Sequence, residues 1–303
     1  MTQKAEAAPL TTGPLQVRSP AKGSNMSSIR DKAVSLAGRG WAVFPCRPSD
    51  KRPAVPEWDR RACSDPATAG RYWPSPRHNI GVACGPSGLV VVDLDTPAHG
   101  GTLPEEWRIP GVVEGADVLA VLVERLGREW PHTYMVRTPS FGTHLYYLKP
   151  EGREIRNSAG KVGPMIDVRA AGGYVVGAGS VTSVGVYEVL IDSAPAPLPG
   201  WLADLADPPR SVRSLSTQAA PRAEVSGRPR SRFVALLDTL LNAPIGQRNN
   251  VLHWAACRAG DMVQEGQVEQ YAAYTALTQA AESIGLGEQE SRATITSAFG
   301  RAA

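Results

Sequence analysis

The stretch Leu89-Val-Val-Val-Asp-Leu-Asp95 decides how the rest of the chain is read. Branched apolar residues in a short run favour a strand. Side chains on a strand alternate between faces, which sets Val91, Asp93 and Asp95 on one side and Val90, Val92 and Leu94 on the other. Two carboxylates sharing a face repel each other at neutral pH. A raised pKa, a basic partner or a divalent cation relieves them. Two readings stand at this point: a buried strand that emerges into the polar loop Asp93-Leu-Asp-Thr-Pro97, or an acidic pair that holds a cation. Residues further along the chain favour the cation.

The 303 residues, 42% of them apolar, suffice for one large or two modest domains with a buried core. A net charge of +3 neither demands nor excludes a nucleic-acid partner. No apolar run approaches the roughly 20 residues that span a bilayer, and the N-terminus lacks the apolar segment of a signal peptide, so a cytoplasmic protein with no membrane partner is expected. The four cysteines, Cys46, Cys63, Cys84 and Cys257, form no Cys-x-x-Cys pair, which argues against a disulfide framework and a zinc knuckle.

Residues 1–27 are rich in Ala, Thr, Pro, Gly and Ser and read as a disordered tail. Ser28 and Asp31 have capping-box spacing ahead of a helix carrying Ile29, Ala33, Leu36 and Ala37. A strand follows at Trp41–Pro45, then a loop with Lys51, Arg52, Pro53 and Trp58 that either contacts phosphates or is simply solvated. Asn79–Ala83 reads as a strand joined to the carboxylate strand by Gly85-Pro-Ser-Gly88, and the two are expected to form a hairpin. A helix at about Ala116–Gly127 precedes strands at Tyr134–Arg137 and Thr143–Leu148, which flank the turn Thr138-Pro-Ser-Phe-Gly142. On the second of these, His144 and Tyr146 share a face. Met165–Arg169 is a further strand with Asp167 and Arg169 on one side, and Gly172-Gly173 bends the chain into Tyr174–Val176.

The composition shifts over residues 206–231 to a basic linker. Six arginines (Arg210, Arg213, Arg222, Arg228, Arg230 and Arg232) stand against Glu224 alone between positions 210 and 232. Such a linker either tracks a phosphate backbone or serves solubility. Phe233, Leu236, Leu237, Leu240 and Leu241 then make a helical stripe, a second helix is capped by Asn250, and two more patterns follow at about Gln267–Ile284 and Glu288–Phe299. Residues 232–303 thus read as a small helical domain.

If the strands bearing Asp93 and Asp95, His144, and Asp167 join one antiparallel sheet with these residues on one face, three carboxylates and an imidazole converge. Hard oxygen donors suit Mg²⁺ or Mn²⁺, and a pair of such ions supports in-line displacement at phosphorus. His144, beside Arg169, would donate to a triphosphate, where an added positive charge favours the leaving group.

The ordered series Asn79-Ile-Gly, Val-Val-Asp93-Leu-Asp95, Ser140-Phe-Gly-Thr-His144-Leu-Tyr-Tyr and Ile166-Asp167-Val-Arg-Ala-Ala-Gly-Gly-Tyr resembles the bifunctional primase-polymerase family of the archaeo-eukaryotic primase superfamily. The resemblance covers about residues 28–205. It implies an α+β catalytic core with an RRM-like antiparallel sheet flanked by helices, followed here by the small all-α C-terminal domain. It also implies metal binding by Asp93, Asp95 and Asp167, and nucleotide binding by His144, Arg169 and Ser140. Lys51, Arg52, Arg228, Arg230 and Arg232 would supply sequence-independent contacts to a single-stranded DNA template, with nucleoside triphosphates as substrates. Where the family often carries Pro-Pro-Ser, this chain has Gly177-Ala-Gly-Ser180. With no Gly-x-x-x-x-Gly-Lys phosphate loop, unwinding falls to a separate helicase. Two other functions fit the same residues: a catalytically inactive nucleic-acid-binding module of a replication complex, and a metal-dependent nuclease.

Overall fold

The computed structural model describes residues 28–97, 103–208 and 230–300, with the side chains of Arg230 and Ser231 left out. The expected tail at 1–27 and Arg210, Arg213, Arg222 and Arg228 of the linker lie outside the described residues. The fold is α+β. In chain order the elements are α1 (Ile29–Gly38), β1 (Val43–Cys46), α2 (Trp58–Arg61), α3 (Pro66–Tyr72), β2 (Asn79–Ala83), β3 (Leu89–Leu94), α4 (Gly115–Arg125), β4 (Tyr134–Arg137), β5 (Thr143–Leu148), β6 (Ser158–Gly163), β7 (Ile166–Arg169), β8 (Tyr174–Val176), β9 (Glu188–Ile191), β10 (Ala196–Pro197) and α5 (Gly200–Ala206). Four longer helices complete the chain: α6 (Arg230–Leu241), α7 (Arg248–Gln264), α8 (Gln270–Ser283) and α9 (Glu288–Phe299).

Two sheets are present. The larger has the order β6-β7-β3-β5-β4-β9, with β10 added beside β5, and the smaller has the order β1-β2-β8. Strand β3 is central and antiparallel to both β5 and β7. The alternation read from its sequence is what buries it: Val90, Val92 and Leu94 face the core shared with α4 and the C-terminal helices, while Leu89 and Val91 face the core shared with α1 and the small sheet. The capping box at Ser28 forms as expected, with Asp31 N–H donating to the Ser28 hydroxyl and Ser28 N–H to the Asp31 carboxylate.

The expected hairpin between Asn79–Ala83 and the carboxylate strand does not form. The turn is closed by hydrogen bonds from Ser87 N–H to the Ala83 carbonyl (3.1 Å), Gly88 N–H to the Gly85 carbonyl (3.0 Å) and Leu89 N–H to the Cys84 carbonyl (2.9 Å), and the two strands then enter different sheets. Every residue of β2 is buried, and its backbone groups are satisfied on both edges by β1 and β8, which leaves no edge for β3.

Residues 230–300 do not form a core of their own. Leu236, Leu240, Val251, Leu252 and Ala255 belong to the same apolar cluster as Val92, Leu119 and Leu145. Arg232 corrects the basic-linker reading: it is 6% exposed and enclosed by acids, with Nε 2.7 Å from Asp117 Oδ1, and so is not available to a phosphate backbone. Burial pushes the Cys46 and Cys84 thiols up to about 12, which leaves both un-ionised at neutral pH. Among the described residues no helix is long and apolar enough to cross a membrane.

Leu119, fully buried beneath β3, should be costly to truncate: Leu119→Ala is expected to lower stability by about 3 kcal/mol. Val184→Ala, at a 70% exposed position, should change it by less than about 0.5 kcal/mol. Equal midpoints for both variants in chemical denaturation would contradict this packing.

Candidate active site

Register assembles the site. Asp93 lies directly opposite His144 on β5 and directly opposite Asp167 on β7. Partners facing each other across an antiparallel pair have Cα atoms about 4.5–5.5 Å apart and project to the same side. Asp167, Asp93 and His144 therefore form one row across three strands. The neighbouring row on that face is Arg169, Val91 and Tyr146.

Asp95 follows just beyond the end of β3, and its backbone is pinned from two directions. Its N–H donates to the Met165 carbonyl (2.9 Å), and its carbonyl accepts from Gly115 N–H (2.8 Å). Gly115 must be glycine for this approach, because a Cβ there would lie 2.2 Å from the Met165 oxygen. Gly142 plays the same part on the other flank, where a Cβ would lie 2.6 Å from the Leu94 carbonyl.

Asp93 and Asp95 look into a cleft of about 480 Å³ between the two sheets, lined also by Lys51, His144, Arg169 and Tyr174 among others; Asp167 does not line it. Trp58 forms part of its wall, its ring packed against Tyr174 (4.8 Å between centroids) and Phe44 (5.0 Å). Lys51 sits on a loop stapled by Asn79: the buried Asn79 amide donates to the carbonyls of Asp50 (3.0 Å) and Val181 (2.7 Å) and accepts from Val181 N–H (2.9 Å).

His144 is 5% exposed, with its Nε2 3.4 Å from Asp93 Oδ1 and its Nδ1 buried without a hydrogen-bond partner. Its proximity to Asp93 points to an ion pair, but burial outweighs it. Desolvation, with Asp95 pulling the other way and Lys51 and Arg169 reinforcing the loss, lowers the imidazole pKa to about 3. The ring is neutral at pH 7. That corrects the expectation of an added positive charge from this residue; the cations facing the cleft are Lys51 and Arg169.

Asp167 shares the row but is engaged elsewhere, with Oδ2 2.7 Å from Arg169 Nη2 and Oδ1 accepting from Gly160 N–H at 3.2 Å. Among the described residues no three His, Cys, Asp or Glu side chains are already gathered as a metal cage. The register and the donor chemistry, three carboxylates on one face, fit a hard cation; the present Asp167 rotamer serves Arg169 instead.

Among the described side chains, three further residues singled out in the sequence, Ser140, Arg52 and Ser180, do not line the cleft. Ser140 sits in the β4–β5 turn, where its carbonyl accepts from the Thr96 hydroxyl (2.9 Å); Thr138 of the same turn lines the cleft in its place. Arg52 is exposed and paired with Asp50 (2.7 Å). Ser180 is fully buried, its hydroxyl accepting from Ile80 N–H, and is a structural clasp. Arg230 begins α6, and Arg228 lies outside the described residues. Two cleft residues escaped the sequence reading. Asn157, whose Oδ1 accepts from Ala170 N–H (2.7 Å), stands in a loop with no periodic signal, and Tyr187 precedes a short strand that also went unread.

No curated protein matches the chain closely enough to count as a relative. The profile of the bifunctional DNA primase/polymerase N-terminal domain matches residues 33–201, a span that includes every residue described above as lining the cleft. Since that match covers more than half of the 303 residues, the chain belongs to the bifunctional DNA primase/polymerase family and carries a primase/polymerase-type nucleotidyltransferase domain.

Proposed function

We propose that the protein joins nucleotides on a single-stranded DNA template, in a reaction dependent on Mg²⁺ or Mn²⁺. The observation that carries this reading is the row Asp167–Asp93–His144 set by strand register, in which Asp93 and His144, with Asp95 beside them, line a cleft together with Lys51 and Arg169. Asp93, Asp95 and Asp167 would hold the ions, which when bound supply activation of the attacking hydroxyl and stabilisation of the departing pyrophosphate.

The chain's own groups do the rest. Lys51 and Arg169 bind the triphosphate by charge. The Arg169 guanidinium is the group for which a triphosphate competes with Asp167, so nucleotide entry would turn that carboxylate toward the ions. Neutral His144 contributes a hydrogen bond without charge, and its buried ring, flanked by Tyr146 and Tyr187, fixes the direction of that bond. Lys51, held by the Asn79 staple, is the best placed of the loop cations to reach the nucleotide. A purely nucleic-acid-binding sheet uses exposed aromatics to stack bases; carboxylates and a histidine occupy the equivalent face here.

Asp93→Asn combined with Asp95→Asn should abolish extension of a labelled primer, by about 1,000-fold or more, while thermal unfolding shifts by only a few degrees. Undiminished extension by that variant would refute the assignment, and primer shortening by the wild type would point to a nuclease. Lys51→Ala should raise the nucleotide KM roughly tenfold and leave kcat within about threefold.

The pH response follows from His144. Its folded pKa of about 3 lies below the ordinary 6.5, so between these values the unfolded chain takes up a proton that the folded chain does not. The stability contributed by the neutral ring is intact above pH 6.5 and is lost as pH falls toward 3. Denaturation at pH 7, 6 and 5 should show a His144-dependent loss of roughly 1 kcal/mol per pH unit below 6.5, and His144→Gln should flatten it. An unchanged slope in the variant would count against a neutral buried ring.

A further inference from the structure

A buried cluster of four ionisable side chains lies on the side of the large sheet away from the cleft. Glu114 and Asp117, at the start of α4, meet Arg232 of α6 and Arg258 of α7, and all four are at most 9% exposed. Arg258 Nη2 contacts Glu114 Oε1, Arg232 Nη2 lies 3.4 Å from the same oxygen, and Arg232 Nε lies 2.7 Å from Asp117 Oδ1. Asp117 Oδ2 also accepts from the N–H groups of Val113 (2.9 Å) and Glu114 (3.1 Å), which fixes the chain as it enters the helix. At the rim, Asp261 and Glu265 share the two arginines.

The next residue after Glu114 is Gly115, whose N–H holds the Asp95 carbonyl at 2.8 Å. One step from the cluster is therefore the backbone of a cleft carboxylate. The contact has little slack, since Gly115 is wedged against Met165, Asp95 and Leu94. We infer that Arg232 and Arg258 are positioning residues for Asp95: the C-terminal helices grip Glu114 and Asp117, and this grip sets the Gly115 amide that fixes the carboxylate's backbone. A buried ion cluster of this kind is not needed for stability as such, because well-packed apolar replacements often serve as well. A positioning role accounts for its place, directly behind the cleft and between elements distant in sequence. The kinetic part of this inference rests on the proposed nucleotidyl transfer; the backbone part does not.

The test uses full-length proteins. Glu114→Gln combined with Arg258→Met removes the ion pairs on Glu114, the residue next to Gly115, without leaving a lone charge in the core, since Arg232 keeps Asp117. Arg258→Lys keeps the charge. Ile295→Ala, in α9, weakens the helical core at a fully buried site that makes none of the cluster's ion pairs. Amide hydrogen exchange at Asp95 and Gly115 is read beside kcat and nucleotide KM for primer extension. The double variant should exchange at least about tenfold faster at both amides and lose at least about tenfold in kcat, with KM within about threefold. Arg258→Lys should recover much of that loss. Ile295→Ala should lower the unfolding midpoint yet leave both amides and kcat within about twofold of wild type. Protected amides and normal kcat in the double variant would overturn the inference, as would equal losses in Ile295→Ala. A wild type that extends no primer would sink the proposed reaction instead, while the exchange measurement would still decide the positioning role.

Discussion

The pairing register of β3 is the constraint on which the site depends. Side chains on a strand repeat every two residues, so a slip of one position against β5 or β7 would turn Asp93 into the apolar core and bring Val92 or Leu94 to the cleft. Burial on both faces prevents the slip. Val90, Val92 and Leu94 match the face covered by α4, and Leu89 and Val91 match the face covered by the small sheet. Exchanging these sets would expose apolar surface and bury two carboxylates at once. The same pattern that stabilises the sheet therefore fixes the row of Asp167, Asp93 and His144.

The electrostatics of the cleft follow from depth. His144 lies in the row but too far from water to keep a proton, whereas Lys51 and Arg169 line the same cleft. A carboxylate floor beneath a cationic mouth suits a ligand whose anionic groups enter last and bring counter-ions with them. The aromatic wall of Phe44, Trp58 and Tyr174 is rigid support for the mouth, and the Asn79 staple does the same for the loop above it.

Much of this was legible in the chain. The alternation of Leu89–Leu94 marked the strand and its two faces, whereas the shared side of Asp93, His144 and Asp167 was a supposition that leaned on the family resemblance until the register of β3 supplied it. What the sequence could not carry was anything set by three-dimensional closure. The partner of β2 depended on which strands took its two edges, not on the short turn that follows it. The charge on His144 depended on depth, which residue type does not encode. Arg232 looked like the end of a basic linker because its acidic partners, Glu114 and Asp117, lie more than a hundred positions earlier. Asn157 and Tyr187 came to the cleft from irregular or weakly patterned segments.

The separation within the ion cluster has a bearing on how the protein matures. Glu114 is 118 residues from Arg232 and 144 from Arg258. On a ribosome adding about 5–20 residues per second, the acids emerge on the order of ten seconds before their second partner is even made. Throughout that interval the nascent sheet carries two acids whose burial costs free energy until the arginines of α6 and α7 are there to meet them. Burial of Glu114 against its two arginines is thereby tied to synthesis of α6 and α7.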